Sequence, residues 1–178
     1  MDADGVKIQD LNIVGNETSK HCLNVFDAKN VTVSNVTAKD SAGYGLVVNG
    51  SEVVVESMEI SGNTWGAINV DSTSSAKDDS KLTIKDGSYS GTWSVKVDKS
   101  SEQASSVDII DGTFENAVYA APNTTIQASG GTFTQPLDPN YVAPGMAQDE
   151  NGNITDDKRI RASLETINYL LDHNAAVI

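Results

Sequence analysis

The chain has 178 residues, a formal charge of −13 at pH 7 and one cysteine, Cys22. A field of that sign repels phosphate backbones and anionic headgroups, which makes nucleic acid and membrane surfaces poor partners, and a lone cysteine excludes an intrachain disulfide. No apolar run reaches the roughly 20 residues that cross a bilayer, and Met1 to Gly5 has neither the basic nor the apolar part of a secretory signal.

In chain order, one segment recurs: VKIQDLNI from Val6, VTVSNVTA from Val31, VVVESMEI from Val53, LTIKDGSY from Leu82, VDIIDGTF from Val107 and IQASGGTF from Ile126. The starts lie 25, 22, 29, 25 and 19 residues apart, a solenoid spacing with loops of variable length. First and third positions, such as Val31 and Val33 or Leu82 and Ile84, are apolar and share a strand face, while Lys7, Thr32, Val54, Thr83 and Asp108 point the other way. The fifth position reads Asp10, Asn35, Ser57, Asp86, Asp111 and Gly130, residues suited to a tight corner. Past the corner, Ile13, Ala38, Ile60, Tyr89, Phe114 and Phe133 turn back inward. A further strand follows in CLNV from Cys22, YGLVV from Tyr44, WGAINV from Trp65, WSVKV from Trp93 and VYAA from Val118.

The expected fold is therefore all-β, a single-stranded right-handed parallel β-helix of about six coils over residues 1–137. An antiparallel sandwich is the alternative, but it gives no reason for the same corner chemistry at matching offsets. After Phe133 the pattern breaks at Pro136, Pro139 and Pro144, and residues 138–178 form an irregular segment. Asn151 and Gly152 signal a hairpin, and Ile160, Leu164, Ile167, Leu170 and Leu171 mark one face of a helix over about 157–173, with Asp156 and Asp157 at its start. That amphipathic helix is expected to cap the open end of the coils, with contact to another chain as the alternative; the uncapped N-terminal coil is expected to pair with upstream coils or another chain.

The coils, GNTWGAINVD from Gly62 above all, resemble the pectate-lyase-like right-handed β-helices. The stretch GGTFTQPLDPNYVAPGM from Gly130 is similar to the segment ending β-helical blocks in large cell-wall-anchored or secreted proteins of Gram-positive bacteria. The resemblance covers residues 6 to 146 and implies an extracellular or cell-wall location, but not one activity, because lyases, hydrolases, adhesins and spacers share this fold. A lyase of this kind implies a basic residue beside calcium-binding carboxylates. The coils hold no arginine, and Lys81, Lys85, Lys96 and Lys99 among Asp86, Asp98, Asp108 and Asp111 read as solvated faces. A hydrolase implies paired acids with a His-Gly element, which neither His21 nor His173 supplies.

No catalytic residues are assigned, and a non-catalytic module is expected, a spacer or an adhesin-like surface for carbohydrate or a cell-surface protein. A carbohydrate-active or carbohydrate-binding β-helix is the alternative. Tyr44, Trp65 and Trp93 are the candidate binding residues: alternation with Leu46, Val48, Val95 and Val97 directs these rings inward as core filler, whereas an exposed ladder would stack on sugars. The long loops after Asp71 and Asp98 are expected to present whatever is recognised. No cofactor is required; Asp149, Asn151 and Asn153 are a weak Ca²⁺ candidate, because Gly152 is at the wrong offset for an EF-hand. The sequons at Asn16, Asn30, Asn35, Asn49 and Asn123 read as turn asparagines.

Overall fold

A computed structural model describes residues 3–172. It is a parallel β-solenoid. Its first winding contains β1 (Ala3–Asp4), β2 (Lys7–Val14) and β3 (Leu23–Phe26), and its second β4 (Ala28–Lys29), β5 (Val31–Lys39) and β6 (Tyr44–Asn49). The third holds β7 (Glu52–Val55), β8 (Met58–Ser61) and β9 (Gly66–Asp71), the fourth β10 (Ser80–Ile84) and β11 (Gly87–Val97), and the fifth β12 (Ser105–Ile109) and β13 (Thr113–Ala120). The sixth copy of the repeat, β14 (Thr125–Ala128) and β15 (Thr132–Phe133), is only a partial winding, so about five turns replace the six expected.

The register is the one the repeat demands. Val31 pairs with Val53, Val53 with Leu82, Leu82 with Val107 and Val107 with Ile126, all in parallel. A second row runs Ala38, Ile60, Tyr89, Phe114, Phe133, and a third Leu46, Ile68, Val95, Val118. Equivalent apolar side chains thus stack inside one tube. Tyr89, Phe114 and Phe133 form a continuous aromatic column with ring centroids 5.0 and 4.6 Å apart and planes within 17° and 10° of parallel.

The corner departs from expectation in one respect. Asp10 and Asn35 take the left-handed backbone at the fifth position (φ 56° and 51°), but in later windings the positive φ moves one residue on, to Gly87, Gly112 and Gly131. Asp86 and Asp111 instead accept a hydrogen bond from the N–H of the glycine that follows, at 2.7 and 2.8 Å, fixing the bend from outside. Of the sequon asparagines, Asn30, Asn35 and Asn123 lie in left-handed turns.

The C-terminal closure is built differently from the one expected. A 3₁₀ turn at Pro139–Tyr141 and an antiparallel hairpin of β16 (Met146–Gln148) and β17 (Ile154–Asp156) fold over the last winding. The Ala143 N–H donates to Ala128 O and the Ile154 N–H to Gly131 O, both at 2.9 Å. Ile154 joins the core, with Leu137, Tyr141, Val142 and Met146 packed against it. The helix α1 (Lys158–Asp172) forms where its pattern places it, started by the Asp157 carboxylate, which accepts the Arg159 N–H at 2.9 Å. Its side chains from 162 to 169, Leu164 and Ile167 among them, are nevertheless exposed. The lid is therefore the 137–154 segment, because that segment carries both the apolar anchors and the backbone groups that pair the last strands. His173 lies outside the described residues.

Candidate binding site

The three candidate rings do not fill the core. Trp65 is 51% exposed and Trp93 half-buried, while Tyr44 is buried outside the core cluster, under the other rings of an external group. The alternation failed for local reasons. Trp65 precedes the first residue of β9, where strand alternation has not begun. Trp93 sits between two register shifts, pairing with Ala117 while Val95 pairs with Val118, and such a bulge re-aims a side chain.

What forms instead is an aromatic face on the outside of the tube. His21, Tyr44 and Trp65 pack at centroid distances of 5.8 to 6.0 Å, His21 parallel to Tyr44 and edge-on to Trp65. Trp93 and Tyr119, the latter 37% exposed, lie 5.6 Å apart on the following windings. Glycine makes the close approach possible: a Cβ at Gly66 would lie 2.6 Å from Trp93 O and 3.1 Å from Tyr44 Cε1, and one at Gly43 would overlap Lys20 O. His21 Nδ1 accepts the Tyr44 N–H at 3.1 Å, which ties the first-winding loop to the second. Burial and the charge of Lys20 hold the His21 pKa below its ordinary value, so the accepting, neutral imidazole is the resting form.

A polar rim runs beside the rings. Asn69, Lys96 and Tyr119 are in register on successive strands. Lys96 Nζ pairs with Asp98 Oδ2 at 2.9 Å, and Asn69 Nδ2 donates to the same carboxylate at 2.9 Å. Burial alone would lower the Lys96 pKa, but the hydrogen bond to Asp98 and the fields of Tyr44, Asp98 and Tyr119 outweigh it, so the ammonium stays charged. Burial raises the Tyr44 phenol, keeping it neutral.

Beneath the cluster, Asn63 is a buried hub. Its Oδ1 accepts from Ser41 N–H, the Ser41 hydroxyl and the Cys22 thiol, and its Nδ2 donates to Ala38 O and Ser61 O. Cys22 also donates to Lys39 O at 3.4 Å. Asn63 thereby fixes the loop that carries Trp65 to two lower windings.

The other candidates are structural. Asp149 Oδ1 accepts the N–H groups of Asn151 and Asn153 at 2.9 Å, and Asn153 Oδ1 accepts from Thr132 Oγ1 at 2.8 Å, so these oxygens hold the hairpin. The Asn153 side-chain amide donates to the same carboxylate, and this bond, with the N–H groups of Asn153 and Asn151, lowers the Asp149 pKa. Among the described residues no three or more His, Cys, Asp or Glu side chains are grouped to hold a metal ion. Lys85 pairs with Glu56 at 2.9 Å, and Lys99 donates to the carbonyls of Glu102 and Gln103. The loops after Asp71 and Asp98 are stitched together through Ser100 on Asp71 and Ser72 on Gln103 O. They leave the third strand row past Asp71 and Val97, next to the register shared by Asn69, Lys96 and Tyr119. His21 and Tyr119 were not singled out from sequence; for Tyr119 the signal existed, since inward Val118 and Ala120 put it outside.

No family model matches the chain, and no solved structure does. A stretch of 29 residues is 76% identical to part of a phosphoglycerate kinase of Roseiflexus sp. (strain RS-1), covering 16% of this chain and 7% of that protein. Thirty residues are 73% identical to part of the phosphoglycerate kinase of Aquifex aeolicus, 17% of this chain and 8% of that one. The chain thus spans less than a tenth of the curated relatives it matches. A shared stretch of that length is shorter than a folding domain and transfers no activity.

Proposed function

We propose that this chain is a non-catalytic β-helical module of a bacterial surface protein, of the pectate-lyase-like kind, working outside the cell as a stiff section with a lateral binding face for carbohydrate or a cell-surface protein. The observation that carries this reading is the external aromatic face. Grouped exposed rings rimmed by polar side chains mark interaction surfaces, and here the fold buries Tyr89, Phe114 and Phe133 while a bulge holds Trp93 outside and Trp65 stands half exposed before its strand.

The test is binding of the chain to a glycan array and to Gram-positive cell surfaces, alongside a reducing-sugar and unsaturated-product assay on acidic polysaccharides. Retention that disappears in Trp65→Ala supports the reading. Turnover that depends on Asp86 or Asp111 overturns it.

A further inference from the structure

We infer that the aromatic face binds a neutral, extended glycan laid obliquely across the third to fifth windings, with sugar rings stacked on Trp65, Trp93 and Tyr119 and hydroxyls held by Asn69, Lys96 and Asp98. The inference rests on the binding-face reading above and names its ligand.

Ring chemistry comes first. A pyranose offers an apolar C–H face that stacks on an indole or phenol and a rim of hydroxyls that exchange hydrogen bonds. The face supplies both, Trp93 and Tyr119 with ring centroids 5.6 Å apart, Trp65 on the winding before them, and the Asn69, Lys96, Asp98 group, whose first two members are in register with Tyr119. Of these polar groups Lys96 is purely a donor and the Asp98 carboxylate purely an acceptor, and a sugar hydroxyl can satisfy either.

Charge selects against acidic chains. The Lys96 ammonium is already neutralised by Asp98 at 2.9 Å, so the rim offers no unpaired cation to a carboxylate or sulfate. The whole chain carries −13, which repels a polyanion at long range. An uncharged ligand escapes both penalties.

Spacing gives the orientation. Adjacent windings are about 4.8 Å apart, so Trp65 on the third winding and Tyr119 on the fifth are separated by ~10 Å along the axis and, because Tyr119 is in register with Asn69, by a further ~13 Å along the strand direction. A span of that kind suits an extended β-linked chain running obliquely over the windings rather than one compact sugar. Trp93 lies between them on the fourth winding.

Both tryptophans of the chain belong to this face, so intrinsic fluorescence reports on it directly. The experiment titrates the whole chain with neutral cello-, manno- and chito-oligosaccharides from dimer to hexamer and with oligogalacturonides, at low and high salt. The expected result is a saturable change with at least one neutral series, affinity rising with length to a plateau, and little dependence on salt. Trp65→Ala and Tyr119→Ala each weaken it roughly tenfold by calorimetry, while Trp65→Phe retains most of it. Saturable binding of oligogalacturonides alone, lost in Trp65→Ala, overturns the neutral-glycan inference and leaves the binding face standing. Neutral-glycan binding that both alanine variants leave unchanged overturns the inference and the face together. A flat titration with every glycan overturns the inference, and cell-surface retention in Trp65→Ala then decides the face separately.

Discussion

Two aromatic groups in this molecule put ring-bearing side chains to opposite ends. Tyr89, Phe114 and Phe133 run as a column through the inside of the tube, fully covered, on strand positions in phase with the apolar alternation. His21, Tyr44, Trp65, Trp93 and Tyr119 form a group on its outside, tied down by a loop, a bulge and glycines. The inner column belongs to folding: each ring removes its full apolar area from water and stacks on its neighbours. The outer group keeps large rings half in solvent, and only Tyr44 beneath it is covered. A ring's destination is set by the backbone at its own position, not by how apolar it is.

Truncation separates the two groups most sharply. Phe114→Ala opens a cavity between two stacked rings and should cost about 3–5 kcal/mol, whereas Trp65→Ala should cost under about 1 kcal/mol in the same denaturant titration. Equal losses would mean that the outer group is also core. Asn63 lies beneath the outer group, and Asn63→Leu should cost about 2–3 kcal/mol by removing the acceptor of the buried Ser41 N–H and the amide donor to the Ala38 and Ser61 carbonyls. The same variant should accelerate labelling of the Cys22 thiol, which loses its Asn63 acceptor.

Gly66→Ala should disturb the outer group alone. Its φ of 149° and the 2.6 Å approach to Trp93 O make any side chain there strained, at about 1–3 kcal/mol. The near-ultraviolet circular dichroism of the tryptophans should change while the far-ultraviolet β signal persists.

A smaller effect comes from His21. Its folded pKa is below the ordinary 6.5 because burial and Lys20 oppose the imidazolium. Between that lowered value and 6.5 the unfolded chain binds more protons than the folded one, so stability is constant above this window and falls as pH descends through it, levelling off below the folded pKa. Unfolding midpoints measured from about pH 7.5 to about pH 4.5 should show this slope, and His21→Gln should remove its share. The smallest effect is expected at Lys85, exposed and away from both groups, where Lys85→Ala should change stability by less than about 0.5 kcal/mol.

Much of this fold was legible in the linear chain because a solenoid makes sequence-distant residues equivalent. Val31, Val53, Leu82 and Val107 occupy the same place in successive repeats, so one period-two pattern read six times fixed both strand faces and register. The candidate site was half legible. The rings at 44, 65 and 93 were found as equivalent positions, but their direction was misread: alternation holds only inside a regular strand, and Trp65 lies before one and Trp93 at a break in one. The corner glycines at 87, 112 and 131 lie one residue from the expected bend, because a left-handed backbone is easiest where there is no Cβ, and at 87 and 112 the preceding aspartate serves as acceptor instead.

By itself the sequence determined that strands of one kind repeat, which side chains face inward along them, and that a helix follows the last repeat. Those properties depend on local periodicity, and periodicity is written in the order of residues. Only the tertiary structure decided which segment closes the core, that α1 leaves Leu164 and Ile167 exposed, and that His21 from one winding joins Tyr44 and Trp65 from the next two. Those outcomes depend on where backbone groups of separate windings meet, and a glycine or a bulge of a single residue is enough to redirect them.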